Sequence, residues 1–176
     1  IPYGFFGEML GGHVNPWRGM IYGMTGRLGW GASPGSTWKL WDDFGIAEAK
    51  MFGYWVPECP VKTGRDDILA TAYVRQGRTL VVVASWAPTV EECKLAVDWK
   101  ALGIDPEKAP LYAPPIEGVQ PAALFKPDEP FPVFPGRGWM LWIDEEHRDL
   151  AENADLFTLE DATEGRKLLL EATFDG

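Results

Sequence analysis

Two apolar runs joined by a short polar turn constrain the fold of this 176-residue chain more than any other feature. In the first run, apolar side chains occupy every second position: Ile68, Ala70, Ala72 and Val74. A period of two places these side chains on one face of a β-strand. Gln76-Gly77 then predicts a hairpin turn, and residues 79–86 are apolar on both faces, which indicates a central strand.

Shorter strands are expected to complete a sheet structure after this hairpin. Residues 93–99 predict a strand with Leu95 and Val97 facing inward, and residues 101–104 predict a single turn. Four further strands are predicted, with prolines between the first three, at residues 111–114, 122–126, 131–134 and 138–144. Short strands separated by Pro and Gly turns are typical of a sandwich. We therefore predict an antiparallel β-sandwich over residues 51–146.

The segment before the sandwich is rich in glycine, because residues 1–37 contain ten of the twenty glycines, with aromatic residues between them. So much glycine disfavours a helix and favours sharply bent loops. Within this segment we predict a turn at Asn15-Pro16 and a short buried strand over residues 19–25. An isolated apolar strand of this kind needs partners from a larger unit.

A short helix is predicted within residues 36–54, where apolar side chains approximate a helical stripe. Ser36 or Thr37 is expected to cap its start, and Gly45 to end it early. Asp42 and Asp43 would lie in its early turns, where carboxylates favour the positive end of the helix dipole.

Composition excludes several classes of function. The net charge of −10 and the absence of a Lys/Arg cluster argue against a nucleic-acid partner. No apolar run approaches the roughly 20 residues that a membrane span needs. The two cysteines, Cys59 and Cys93, lack zinc-site spacing and either form one disulfide or stay buried as free thiols. Neither a metal nor a cofactor is predicted.

The end of the chain, residues 147–176, is expected to be an acidic linker that leads into the first strand of a further β module near residues 167–174. A strand that returns to the sandwich is the alternative. His147 stands among charged residues and is expected to be solvated.

Candidate ligand-binding residues lie in the glycine-rich segment. Glu8 is the candidate carboxylate of this segment, since it stands between an aromatic stretch and a flexible loop. The alternative is that Glu8 is a surface carboxylate without a binding role. A polar and aromatic group next to it could bond hydroxyls and stack on a sugar ring. Its members are His13, Asn15, Trp17 and Arg18, with Arg27 further along. The alternative interpretations are that His13 is an ordinary loop histidine and that Arg18 pairs with a nearby acidic residue.

Three pieces of sequence together resemble a known family. They are residues 15–20 with 23–27, then Leu40-Trp41-Asp42 with Gly53-Tyr54-Trp55, then residues 95–99 followed by 113–117. Their order resembles the C-terminal half of large secreted bacterial proteins that are similar to glycoside hydrolases of family 123. The resemblance covers about residues 4–144.

The resemblance implies a (β/α)8 barrel that carries catalysis and a β-sandwich that follows it. Residues 1–50 would then be the last strands and final helix of the barrel, with the loops of residues 15–27 at its mouth. It also implies an extracellular or periplasmic location, a glycan bound through the barrel, and barrel residues upstream of this chain.

The resemblance assigns no catalytic residue to this chain. Family 123 enzymes resemble substrate-assisted hexosaminidases with an adjacent Asp-Glu pair, and residues 1–50 contain no such pair. We therefore expect an accessory sandwich that is inactive alone. A carbohydrate-binding module with exposed tryptophans and a purely structural domain are the alternatives. Trp139 and Trp142 would lie on opposite faces of their strand, so that one of them could be exposed.

Overall fold

A computed structural model describes residues 15–24 and 35–147 of the chain. Its helical elements are α1 (Pro16–Ile21), α2 (Gly35–Phe44), a 3-10 turn (Ile46–Glu48) and α3 (Trp99–Leu102). Its strands are β1 (Lys50–Phe52), β2 (Val61–Lys62), β3 (Ile68–Arg75), β4 (Arg78–Ser85), β5 (Glu91–Cys93), β6 (Ala96–Val97), β7 (Leu111–Ala113), β8 (Ala123–Phe125), β9 (Phe131–Val133) and β10 (Gly138–Asp144). The predicted mainly β, antiparallel, sandwich-like fold is confirmed.

The main sheet has six antiparallel strands in the order β1-β3-β4-β10-β7-β8. The predicted hairpin is its centre, with Arg75 of β3 paired to Arg78 of β4 across the turn at Gly77. β4 is buried along almost its whole length, as its unbroken apolar run predicts. The strands predicted near residues 111, 123, 131 and 138 are all present.

The two faces of this sheet are covered differently, and we name them by what covers them. On the ribbon face, Val81, Val83 and Leu141 pack against side chains of two short antiparallel pairs, β2–β6 and β5–β9. On the helical face, Leu80, Val82 and Met140 pack against side chains of α1 and α2. Trp139 lies on the ribbon face and Trp142 on the helical face, so the prediction that they point to opposite faces is confirmed.

The strand predicted over residues 19–25 is wrong, because Gly19 to Ile21 belong to α1. Asn15 has extended backbone angles, and its side chain accepts a bond from the amide of Arg18, 2.9 Å away. Pro16 follows at the first helical position, where a missing N–H costs nothing. Asn15-Pro16 therefore starts a helix where the sequence indicated a turn.

The predicted short helix is present as α2, but its charge pattern was predicted wrongly. α2 already begins at Gly35, so Ser36 and Thr37 lie inside its first turn rather than at its cap. Asp42 and Asp43 lie in its last turn, and Asp43 pairs with Lys39 at 2.6 Å. The helix ends where Gly45 adopts a left-handed conformation with φ of 76°, as predicted.

Three further expectations are settled by the structure. The single strand predicted over residues 93–99 is wrong, since β5 and β6 are separate and Asp98 caps α3 through a 3.0 Å bond from the amide of Ala101. Cys59 and Cys93 are buried free thiols. His147 is half-buried rather than fully solvated, because its ring stacks on Tyr112 and its Nδ1 lies 2.6 Å from a carboxylate oxygen of Asp144.

The remaining predictions about chain organisation are not tested. Residues 148–176, with the predicted linker and terminal strand, lie outside the described residues. The division of the chain into barrel remnant (1–50), sandwich (51–146) and tail (147–176) stays a prediction. No helix in the described ranges is long and apolar enough to cross a membrane.

Candidate functional site

The predicted ligand-binding residues fall into two groups. Glu8, His13 and Arg27 lie outside the described residues. Asn15, Trp17 and Arg18 lie together at the start of α1, against the helical face of the sheet.

Asn15 connects the start of α1 to the loop before β10. Its side-chain oxygen caps the helix, and its amide nitrogen Nδ2 donates to the carbonyl of Gly136 at 2.6 Å. Both ends of the amide are therefore engaged by main-chain groups, and the residue fixes where the helix starts relative to the sheet.

Trp17 is 8% exposed and contacts a buried glutamine that sequence reasoning missed. The indole Nε1 lies 3.5 Å from Oε1 of Gln120. The same glutamine donates through Nε2 to the carbonyls of Pro114 and Met140, each at 2.9 Å, and accepts from the amide of Met140 at 2.8 Å. A buried polar group is stable when its donors and acceptors are bonded in this way.

Arg18 extends over the end of β4. Its Nε and Nη2 donate to the carbonyl of Ser85 at 3.2 and 2.9 Å, and its guanidinium lies 4.7 Å from the ring centroid of Trp86. The arginine thus combines charge-assisted hydrogen bonds with a cation–π contact. Ligand binding by Asn15, Trp17 and Arg18 stays a prediction, while the structure gives all three residues contacts with the sheet and its loops.

The last carbonyls of α1 are bonded by side chains of β3. The Tyr73 hydroxyl donates to the carbonyl of Met20, and Oγ1 of Thr71 donates to the carbonyl of Ile21 at 2.8 Å. Burial raises the pKa of Tyr73, opposed in part by the backbone of Gly23, so the phenol remains a hydrogen-bond donor at neutral pH. The carbonyl of Ile21 at the helix end gains a donor in this way, and the carbonyl of Met20 accepts the Tyr73 bond in addition to the bond from the amide of Gly23.

An aromatic cluster lies beyond the end of α1. The rings of Tyr22 and Trp55 are nearly parallel, with centroids 5.9 Å apart, and Tyr54 meets Trp55 edge-on at 5.2 Å. Trp55 is 52% exposed. A Cβ at Gly53 would lie 2.4 Å from the Trp55 ring, so a side chain there would displace this ring. This cluster joins α1 to the loop after β1.

An open groove of about 470 Å³ forms the second candidate site, next to the β2–β6 pair on the ribbon side. Buried Cys59 and Leu95 line its base, and half-buried Trp99 lines one wall. The nearby thiol of Cys93 belongs to the ribbon-face core, where burial raises its pKa to about 11 and keeps it protonated. Within the described ranges, no group of three or more His, Cys, Asp or Glu side chains could hold a metal.

A six-stranded antiparallel sheet, covered by short strand pairs on one face and bonded to a helix on the other, defines a β-sandwich-like domain. The family comparison agrees with this class. The model for the glycoside hydrolase 123 C-terminal domain matches residues 33–144, and the model for the glycoside hydrolase 123 TIM-barrel domain matches residues 1–29. The first match covers more than half of the chain, so the chain belongs to the glycoside hydrolase 123 family, as the resemblance indicated.

No match was found among curated proteins or solved structures. The two family matches meet between residues 29 and 33, so α1 lies in the barrel-type part and α2 in the C-terminal part. The contacts of Asn15, Trp17 and Arg18 with the sheet therefore join segments of the two family domains.

Proposed function

We propose that this chain is the C-terminal part of a carbohydrate-processing enzyme, in which the sandwich supports the end of the catalytic barrel and is not itself a catalyst. One observation carries the proposal. Helix α1, which belongs to the barrel-type match, has Met20 and Ile21 completely buried and both of their carbonyls bonded by sheet side chains. A glycan would then reach the protein through the barrel.

The distribution of tryptophans supports the supporting role over that of a binding module with a row of exposed rings. A binding module of the usual kind displays aromatic rings to solvent for stacking on sugars. Here Trp17 and Trp139 are buried, Trp41, Trp86 and Trp142 pack partly buried against the helical-face cluster, and Trp99 packs partly buried against the ribbon-face cluster. Of the described tryptophans, Trp38 and Trp55 are the exposed ones.

The absence of catalysis by the sandwich is tested by direct assay. The 176-residue chain is incubated with aryl N-acetylhexosaminides and other aryl glycosides, and aglycone release is followed. We expect no release above the buffer blank, because no pair of general acid and nucleophile is assigned to the sandwich. Turnover at about 1 s⁻¹ or faster would contradict the proposal, since that is an ordinary enzymatic rate.

The attachment of α1 to the sheet is tested by hydrogen exchange. Tyr73→Phe removes the hydroxyl that bonds the Met20 carbonyl while it keeps the ring. We expect the amides of Tyr22, Gly23 and Met24, which bond to carbonyls of α1, to exchange about tenfold faster, since a lost bond of about 1.4 kcal/mol corresponds to that factor.

Tyr112→Phe is the matched control for this measurement. Tyr112 is a half-buried tyrosine of β7, and its hydroxyl has no hydrogen-bond partner among the described residues. Its removal should leave exchange in α1 unchanged. Equal exchange in the wild type and in Tyr73→Phe would mean that the Tyr73 bond does not hold the end of α1, and the supporting role would lose part of the observation that carries it.

A further inference from the structure

The groove beside the β2–β6 pair has a fixed backbone. Val61 of β2 pairs with Val97 of β6, and the amide of Asp98 donates to the carbonyl of Pro60 at 2.8 Å. Asp98 then caps α3, which places Trp99 at the first position of that helix. A groove whose walls are bonded in this way is formed before any ligand arrives, which lowers the entropic cost of binding.

Four exposed charged side chains surround this groove, two positive and two negative. They are Lys62, Lys94, Asp98 and Asp128. Lys94 and Asp128 have no ion pair or hydrogen bond to any described residue. Lys62 Nζ donates one bond, to the carbonyl of Val56 at 3.0 Å, and the bond from Ala101 uses only one carboxylate oxygen of Asp98. Donors and acceptors thus remain available on the rim.

The base and walls between these charges are apolar. Trp99 packs against the ribbon-face core on one side and lines the groove on the other, next to Val97 and Pro127. Sugar rings combine apolar C–H faces with a rim of hydroxyls, and each hydroxyl both donates and accepts. An aromatic wall surrounded by balanced lysines and aspartates matches that chemistry.

The charges around the groove narrow the class of ligand that it can bind. The four rim charges cancel, and the chain as a whole carries −10, so an anionic ligand gains nothing locally and is repelled globally. We propose that this groove binds a segment of a neutral oligosaccharide. Its volume of about 470 Å³ lies within the range of small-molecule sites. The site lies on the ribbon side of the sheet, away from α1, so it goes beyond the supporting role and does not depend on it.

Binding is measured on the ¹⁵N-labelled 176-residue chain by NMR titration with cellotetraose, xylotetraose, mannotetraose and chitotetraose, and with tetragalacturonate as the anionic probe. We expect at least one neutral tetrasaccharide to shift the amides of Lys94 to Trp99, and tetragalacturonate to shift none of them. Stronger binding of the anion, or no shift with any neutral probe at millimolar concentration, would overturn the proposal.

Two rim variants test whether the groove is the site. Asp128→Ala and Lys94→Ala should each raise Kd about tenfold, because each removes a charged hydrogen-bonding group from the rim. Glu117→Ala, which changes an exposed carboxylate outside the groove, should leave Kd unchanged. Unchanged Kd in both rim variants would overturn the assignment. The aryl-glycoside assay and the exchange rates of α1 would be unaffected, so failure here is distinguishable from failure of the supporting role.

Discussion

The two faces of the six-stranded sheet bury their side chains by different means. On the ribbon face the buried cluster is mainly apolar, and its polar contacts include the bond from the Trp139 indole to the carbonyl of Pro132 at 2.7 Å and those of the Cys59 thiol to backbone carbonyls. On the helical face, Thr71, Tyr73 and Gln120 insert polar groups between the sheet and α1, and each group is bonded to its partner. The same sheet therefore carries one mainly apolar core and one core in which several polar side chains bond the covering helix.

The two faces differ in how precisely each must position the elements that cover it. Apolar burial is non-directional and scales with area, so most of the stabilisation of the ribbon face does not depend on precise geometry. Hydrogen bonds to main-chain carbonyls depend on distance and angle. Bonds to the carbonyls of Met20 and Ile21 consequently fix the position of α1 on the sheet, as is needed where segments of two family domains meet.

A matched pair of phenylalanine truncations tests whether the two faces contribute differently to stability. Phe131 on the ribbon face and Phe44 on the helical face are 1% and 0% exposed. Each change to alanine should lower the free energy of unfolding by about 3–5 kcal/mol, through lost burial and the cavity left behind. The measurement is chemical denaturation together with hydrogen exchange.

The exchange pattern is expected to separate the two variants. Phe131→Ala should speed exchange throughout β4 and β10, because the ribbon-face core holds both strands. Phe44→Ala should act first on α1 and α2 and leave the β3–β4 pairing protected. If both variants exposed the same amides equally, the two faces would form one cooperative unit, and the contrast between them would have no energetic meaning.

Alkaline pH provides a second test, since each face buries an acidic group whose pKa is raised. Burial raises the pKa of Cys93 from 9.0 to about 11 on the ribbon face and raises the pKa of Tyr73 on the helical face. A group with a raised folded-state pKa contributes stability that is complete below its unfolded pKa and is lost as the pH rises towards the folded value. Stability should therefore fall above about pH 9.

Single variants assign this loss to one face or the other. The Cys93 contribution is at most about 3 kcal/mol between pH 9 and 11, at about 1.4 kcal/mol per pKa unit. In Cys93→Ala this part of the slope should disappear, and in Tyr73→Phe the slope that begins near pH 10 should decrease. Free energies of unfolding measured at intervals of half a pH unit would show both changes in slope. An unchanged slope in Cys93→Ala would mean that the thiol is not protected from solvent.

The sheet could be predicted because its signal is local. Alternation through Ile68 to Val74 and the unbroken run in β4 follow from the period of a strand and from burial on both faces. The helix α1 was missed because Asn15-Pro16 suits both a turn and a helix start, and because six residues show no apolar period. Gly19 and Gly23, which argued against a helix, stand inside α1 and just after its end.

The polar contacts of the site could not be predicted from local patterns. The Tyr73 hydroxyl reaches a carbonyl 53 positions away, and Gln120 meets Trp17 across 103 positions. No local pattern encodes such a pairing, and the carbonyl partner carries no side-chain signal at all. His147 was expected in solvent for the same reason, since its stacking partner Tyr112 comes from another strand. Residue types indicated a polar region near Asn15 to Arg18, while only the fold shows what these side chains bond.

The smallest expected effect comes from two buried threonines on opposite faces of neighbouring strands. Both are 0% exposed, but Oγ1 of Thr71 bonds the Ile21 carbonyl, whereas Oγ1 of Thr79 has no hydrogen-bond partner among the described residues. Valine has nearly the shape of threonine without the hydroxyl. Thr71→Val should therefore cost about 1–2 kcal/mol, and Thr79→Val should be neutral or slightly stabilising. Thermal denaturation of both variants gives the difference, and equal destabilisation would show that hydrogen bonding does not distinguish the two faces.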